Sequence, residues 1–124
     1  MNILKKFAYH SRDFLANFLR HHPDAVAQLQ LKLLYRSMAE SGKAVPGLNE
    51  VGFKAFSQTD EDGILLYIFS IIGTVNKKSV EVCAGDGIEC NSANLIINHG
   101  WDGLLVDGNK SLVKRGQDFY HMNP

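Results

Sequence analysis

The sequence predicts an α/β fold: a partial, incomplete parallel sheet preceded by an N-terminal helical segment. Three observations predict it. Ser79-Val80-Glu81-Val82-Cys83 is an apolar run interrupted by Glu81, the pattern of a strand buried in a parallel sheet. Ala84-Gly85-Asp86-Gly87 follows at once as a glycine-rich turn, and a helix-like stretch comes next. Gly103-Leu104-Leu105-Val106 is a second apolar run, and it ends in Asp107, about twenty residues beyond the turn. Strand, glycine turn, helix and strand with a terminal acid make the first half of a Rossmann-like nucleotide-binding sheet.

Taken in order, residues 1–42 read as a helical hairpin. Ile3, Leu4, Phe7, Phe14, Leu15, Phe18 and Leu19 recur at spacings near three and four, so they share one helix face. His22-Pro23-Asp24 interrupts the pattern: Pro23 suits the first turn of a new helix and Asp24 its positive end. Val26, Leu29, Leu33 and Leu34 then continue an apolar stripe, widened by Leu31, Tyr35 and Met38, and Gly42 is a stop. Such a pair packs or self-associates by default; a lid or a membrane-surface helix is the sharper alternative.

Residues 43–55 are a linker, within a stretch crowded with Ser41, Gly42, Pro46, Gly47, Asn49 and Gly52. Residues 56–124 hold the sheet. Thr59 and Asp62 have the spacing of a capping pair. Ile64, Leu65, Tyr67, Ile68, Phe69, Ile71 and Ile72 make a helix apolar on most sides, expected to be largely buried and ended by Gly73. Asn76-Lys77-Lys78 turns into the first strand, Ser79 to Cys83. Asn91 to His99 is a helix stopped by Gly100, and a last helix starts near Asn109 or Ser111 and runs to about Tyr120.

Composition narrows the function classes. An apolar share of 45% and a charged share of 21% describe an ordinary globular chain. The formal net charge is zero, which removes any chain-wide electrostatic case for nucleic acid or an acidic membrane. Lys5-Lys6 and Arg20-His21-His22 read as solvated helix surface. Cys83 and Cys90 form no CxxC pair and have no histidine at ligand spacing, which argues against zinc and for a reduced, cytoplasmic chain. There is no run of eighteen apolar residues to span a membrane.

The chemistry sits in the glycine turn. Gly85 and Gly87 permit positive φ and leave no Cβ in a ligand's way, and the following helix is expected to aim free N–H groups at the same crevice. Asp107 stands where an acid grips ribose hydroxyls, though an acid there also caps a following helix. Against the G-x-G-x-x-G fingerprint, the third glycine position is Cys90. Asp86 and Glu89 put carboxylates where a pyrophosphate would lie, a repulsion of several kcal/mol at about intermediate dielectric. A cofactor with no phosphate and a positive charge suits the turn better. S-adenosylmethionine, with its sulfonium and ammonium groups, meets that description, and Glu81, Asp86 or Glu89 are the carboxylates to attract it.

The residues also carry a resemblance. Val80 to Gly87 resembles the first motif of class I S-adenosylmethionine-dependent methyltransferases, and Gly103 to Asn109 their second strand with its ribose-binding acid. Phe56-Ser57-Gln58-Thr59-Asp60-Glu61-Asp62-Gly63 resembles the Ser-Gln-x-x-x-Asp segment ahead of that motif in FkbM-like methyltransferases. The resemblance covers residues 56–124. It implies that Glu81 orients the turn or the methionine ammonium. Ala84, Gly85, Asp86 and Gly87 would lie beneath the cofactor, Asp107 would accept the ribose hydroxyls, Asn109 would lie beside the adenosine, and Gln58 would touch the cofactor side. Cys83 departs from the pattern, because many members of the superfamily have glycine there.

A methyltransferase sheet of this class has more strands than the two here, so the expectation is a truncated cofactor-binding half, inactive alone, of an enzyme that methylates a sugar or small-metabolite hydroxyl. No catalytic base is assigned. An NAD- or nucleotide-sugar-binding Rossmann protein and a non-catalytic interaction protein that self-associates through its N-terminal helices are the alternatives.

Overall fold

A computed structural model describes residues 23–122. The first of the two expected N-terminal helices lies outside the described residues. Those residues hold four α-helices, one 3₁₀ turn and a two-stranded parallel sheet, an α/β arrangement.

Helix α1, Ala25–Glu40, starts where the Asp24 carboxylate accepts the Ala27 N–H at 2.8 Å. Its buried face is only part of the expected stripe: Tyr35 is inside and Leu31 packs against its cluster. Val26, Leu29, Leu33 and Leu34 are all more than half exposed, whereas Gln28 and Tyr35 are buried. The polar Gln28 wins burial because its partners come with it: Asn94 Nδ2 donates to Gln28 Oε1 at 2.9 Å, and Gln28 Nε2 donates to the Pro23 carbonyl at 2.9 Å. Tyr35 meets Tyr67 edge-on at 5.0 Å between ring centroids, over Val51.

After the 3₁₀ turn Leu48–Glu50 comes helix α2, Glu61–Ile72, which ends at Gly73 as expected. Its start differs. Asp62 does not pair with Thr59; its Oδ2 accepts the N–H groups of Ala55, Phe56 and Ser57 and the Ser57 hydroxyl, at 2.6–2.9 Å. One fully buried carboxylate thus folds the preceding loop back on the helix. The helix is also less buried than its composition suggests, with Leu66 and Tyr67 inside and Ile72 71% exposed.

Strand β1, Lys78–Val82, pairs in parallel with β2, Asp102–Val106, so that Val80 lies beside Leu104 and Val82 beside Val106. Helix α3, Ala93–His99, connects them, and α4, Lys110–Met122, follows β2. Both strands and α3 begin or end within two residues of expectation, but the strands are not buried on both faces. Leu105 packs toward the Ala84, Cys90 and Ala93 cluster, whereas Val80, Val82, Leu104 and Val106 are 42–70% exposed on the other face. Cys83 lies outside the strand and is exposed, not at its buried end.

Candidate functional site

The carboxyl ends of the strands are joined by a small network. Cys83, Gly85 and Gly87 all have φ between 62° and 69°, the left-handed region. Glycine adopts it freely, but a cysteine there is strained by its Cβ. The turn is held from both sides. The Ala84 N–H donates to the Val106 carbonyl at 3.1 Å, and the Tyr120 hydroxyl of α4 donates to the Gly87 carbonyl at 2.6 Å. Gly116 of α4 passes so close to the Asp86 carbonyl that a Cβ would collide with it.

Asp107 reaches back across this turn. Its Oδ2 accepts the Gly85 N–H at 2.9 Å and its Oδ1 the Asn109 N–H at 2.8 Å. A carboxylate offers about four lone-pair sites, so about two remain for a ligand. Nothing lies within 4 Å of the place a Gly85 Cβ would occupy, so the backbone there faces open space. The structure thus brings Ala84, Gly85 and Asp107 together. Asn109 is spent on α4, its Oδ1 accepting the N–H groups of Ser111 and Leu112.

The other acids are engaged differently from expectation. Glu81 accepts the Asn91 N–H at 3.1 Å and the Ser92 N–H at 2.8 Å, in the two residues just ahead of α3. Burial works to raise its pKa, but the Ser92 and Asn91 donors outweigh burial and hold it below the ordinary value. Its carboxylate therefore stands just ahead of that helix, where a ligand's negative group would meet it. Asp86 accepts the Ile88 N–H at 3.0 Å and meets Arg115 of α4 at 3.4 Å. Its charge is partly balanced, which weakens the carboxylate repulsion expected from the sequence. Glu89 is exposed.

Gln58 sits on the loop folded by Asp62, with its side chain exposed; its carbonyl accepts Lys54 Nζ at 2.7 Å. The loop does reach the turn, because Phe56 packs against Ala84, Cys90 and Ala93. Cys90 stands at the third fingerprint position as a packing residue: burial, and then the Glu81 charge, push its thiol pKa up to about 12. It is no nucleophile. Burial likewise holds the Tyr120 phenol well above its usual range. Sequence reasoning missed Tyr120 and Arg115, whose partners lie about thirty residues away with no local signal. It also missed the clamp role of Asp62, for which the Ser-Gln-x-x-x-Asp segment was the available signal.

Among the described residues no cluster of three His, Cys, Asp or Glu side chains is placed to hold a metal ion, and no helix is long and apolar enough to cross a membrane. Comparisons with protein-family models, curated proteins and solved structures give no match.

Proposed function

We propose that this chain is the S-adenosylmethionine-binding half of a Rossmann-like methyltransferase that acts on a hydroxyl of a sugar or small metabolite. The observation that carries the reading is the bond from Gly85 N–H to Asp107, across an open glycine turn at the carboxyl ends of parallel strands. Ligands of open α/β sheets bind in that crevice, and an acid on the second strand suits a ribose diol. Glu81 supports an adenosyl cofactor over a dinucleotide. Bonded to the N–H groups of Asn91 and Ser92, it sets a carboxylate just ahead of α3, a negative charge that repels a pyrophosphate there.

The exposed apolar face of Val80, Val82, Leu104 and Val106 supports the reading of a half, since parallel sheets are normally covered on both faces. Asp107 would bind and orient the ribose, and the glycine turn would admit the cofactor's methionine portion. Alignment of the acceptor with the sulfonium methyl would fall to residues elsewhere. An NAD- or nucleotide-sugar-binding protein is the second reading, favoured by Arg115, which balances Asp86.

Calorimetric titration of the 124-residue chain with S-adenosylhomocysteine and with NADH separates the two. Heat with S-adenosylhomocysteine is the expected result, and binding of NADH alone sinks the reading. Binding of neither, with a dimer that depends on the N-terminal helices, indicates the interaction protein instead.

A further inference from the structure

The amino ends of the strands carry a different site. There α1, α2 and the end of α3 surround a small open cleft, lined by the apolar Leu66, Phe69 and Leu95 and by Lys32, Arg36, Ser70, Thr74, His99 and Trp101. Lys77, just before β1, adds a further cation by donating from Nζ to the His99 carbonyl at 3.2 Å. Lys32 and Arg36 are one helical turn apart, where like charges repel. Neither they nor Lys77 has a carboxylate ion-pair partner among the described residues, in a chain with 13 acids for its 13 lysines and arginines.

The polar lining is donor-rich. Lysine, arginine and the Trp101 indole can only donate, and Thr74 can donate. Ser70 is turned inward, its hydroxyl bonded to the Leu66 carbonyl at 2.5 Å. His99 is held in place by its Nε2, 2.8 Å from Gln28 Oε1, an oxygen that also accepts Asn94. A group of cations with donor groups beside it matches the chemistry of an oxyanion. Arg36 offers a planar fork for two oxygens and Lys32 a point charge.

We propose that this cleft binds a phosphoryl group carrying two negative charges. The site is separate from the glycine turn and does not depend on the cofactor reading. The electrostatics agree. Burial lowers the Lys32 pKa, with Lys77 and Arg36 adding to it, and burial followed by Lys32 and Lys77 lowers that of His99. Asp62, from α2, acts on His99 in the opposite sense. A bound dianion raises the His99 pKa again, so binding takes up a proton.

The test follows the imidazole signals of His99 by NMR in the full chain while inorganic phosphate is added, against chloride at equal ionic strength. The expected result is a saturable shift specific to phosphate and a higher His99 pKa. Both are lost, or weakened roughly tenfold or more, in Arg36→Gln and in Lys32→Gln, and both persist in Asp107→Ala. Arg36 is exposed, so its substitution leaves the fold intact. A response only to phosphatidylcholine vesicles containing phosphatidic acid, whose phosphomonoester can carry two charges, abolished by Arg36→Gln, identifies the phosphoryl group as a lipid headgroup. A shift equal in phosphate and chloride, a shift unchanged in both variants, or no response to phosphate or vesicles overturns the proposal.

Discussion

The two ends of the sheet treat charge in opposite ways. At the carboxyl ends Glu81, Asp86 and Asp107 each accept backbone N–H groups, and Asp86 also meets Arg115. At the amino ends Lys32, Arg36 and Lys77 stand close together with no acid paired to them among the described residues. The first arrangement is self-sufficient. Its acids fix the turn and the starts of helices, and Asp107 keeps lone pairs in reserve. The second is electrostatically unfinished. A balanced net charge therefore conceals a polarity along the strands, with acids bonded to backbone at one end and cations without ion-pair partners among the described residues at the other.

The acids that accept backbone N–H groups should be the more costly to disturb, and Asp62 of α2 bonds more of them than any acid at the carboxyl ends. Asp62→Ala strands two buried N–H groups, a part-buried one and a hydroxyl, and it frees the loop that carries Phe56 to the turn. The expected loss is on the order of 3 kcal/mol or more in urea unfolding, the sum of several unsatisfied donors. A loss below about 0.5 kcal/mol would mean that the clamp is not structural.

Glu81→Gln should cost about 1 kcal/mol at neutral pH by removing a charged acceptor from the Asn91 and Ser92 N–H groups just ahead of α3. The pH dependence has a definite sign. Because the folded carboxyl pKa lies below the ordinary value of 4.5, its stabilisation is complete above that value and is lost as pH falls through the lowered one. Melting curves of wild type and variant should therefore converge in acid. A gap that stays constant down to the most acidic point contradicts the assignment.

Cys83→Gly should stabilise the chain by about 1 kcal/mol, since it relieves a left-handed cysteine. The gain is reduced by the greater freedom of glycine in the unfolded state. A lower melting temperature in this variant would show that the Cys83 side chain contributes more than its strain costs.

The smallest effect belongs to the basic end. Lys32→Gln removes one of the mutually repelling cations and should raise stability by about 0.2–0.5 kcal/mol at low salt, an advantage that fades as salt screens the others. Destabilisation at low salt would show that Lys32 has a favourable partner.

The sequence was most legible where structure is local. The order of strand, turn, helix and strand came from apolar runs and glycines, and Gly42, Gly73 and Gly100 end helices as their left-handed φ values require. The buried face of α1 was legible only in part, through Leu31 and Tyr35. Val26, Leu29 and Leu33 form the better apolar stripe, but the buried Gln28 is chosen by Asn94, 66 residues away. The same limit applies to the site. Gly85 and Asp107 could be paired by a known strand-to-strand spacing, whereas the Tyr120–Gly87 and Arg115–Asp86 contacts depend on where α4 lands. The uncovered sheet face could not be read either, because Val80 and Leu104 look the same in sequence whether covered or bare.

The central claim is that Asp107 holds the ribose of an adenosyl cofactor above the glycine turn. Calorimetric titration with S-adenosylhomocysteine of the wild-type chain and of Asp107→Ala, each checked for an unchanged circular dichroism spectrum, tests it most directly. Saturable binding by the wild type and a loss of roughly 10- to 100-fold in the variant are predicted, the worth of hydrogen bonds to a charged acceptor. Equal affinity in the two proteins would contradict it.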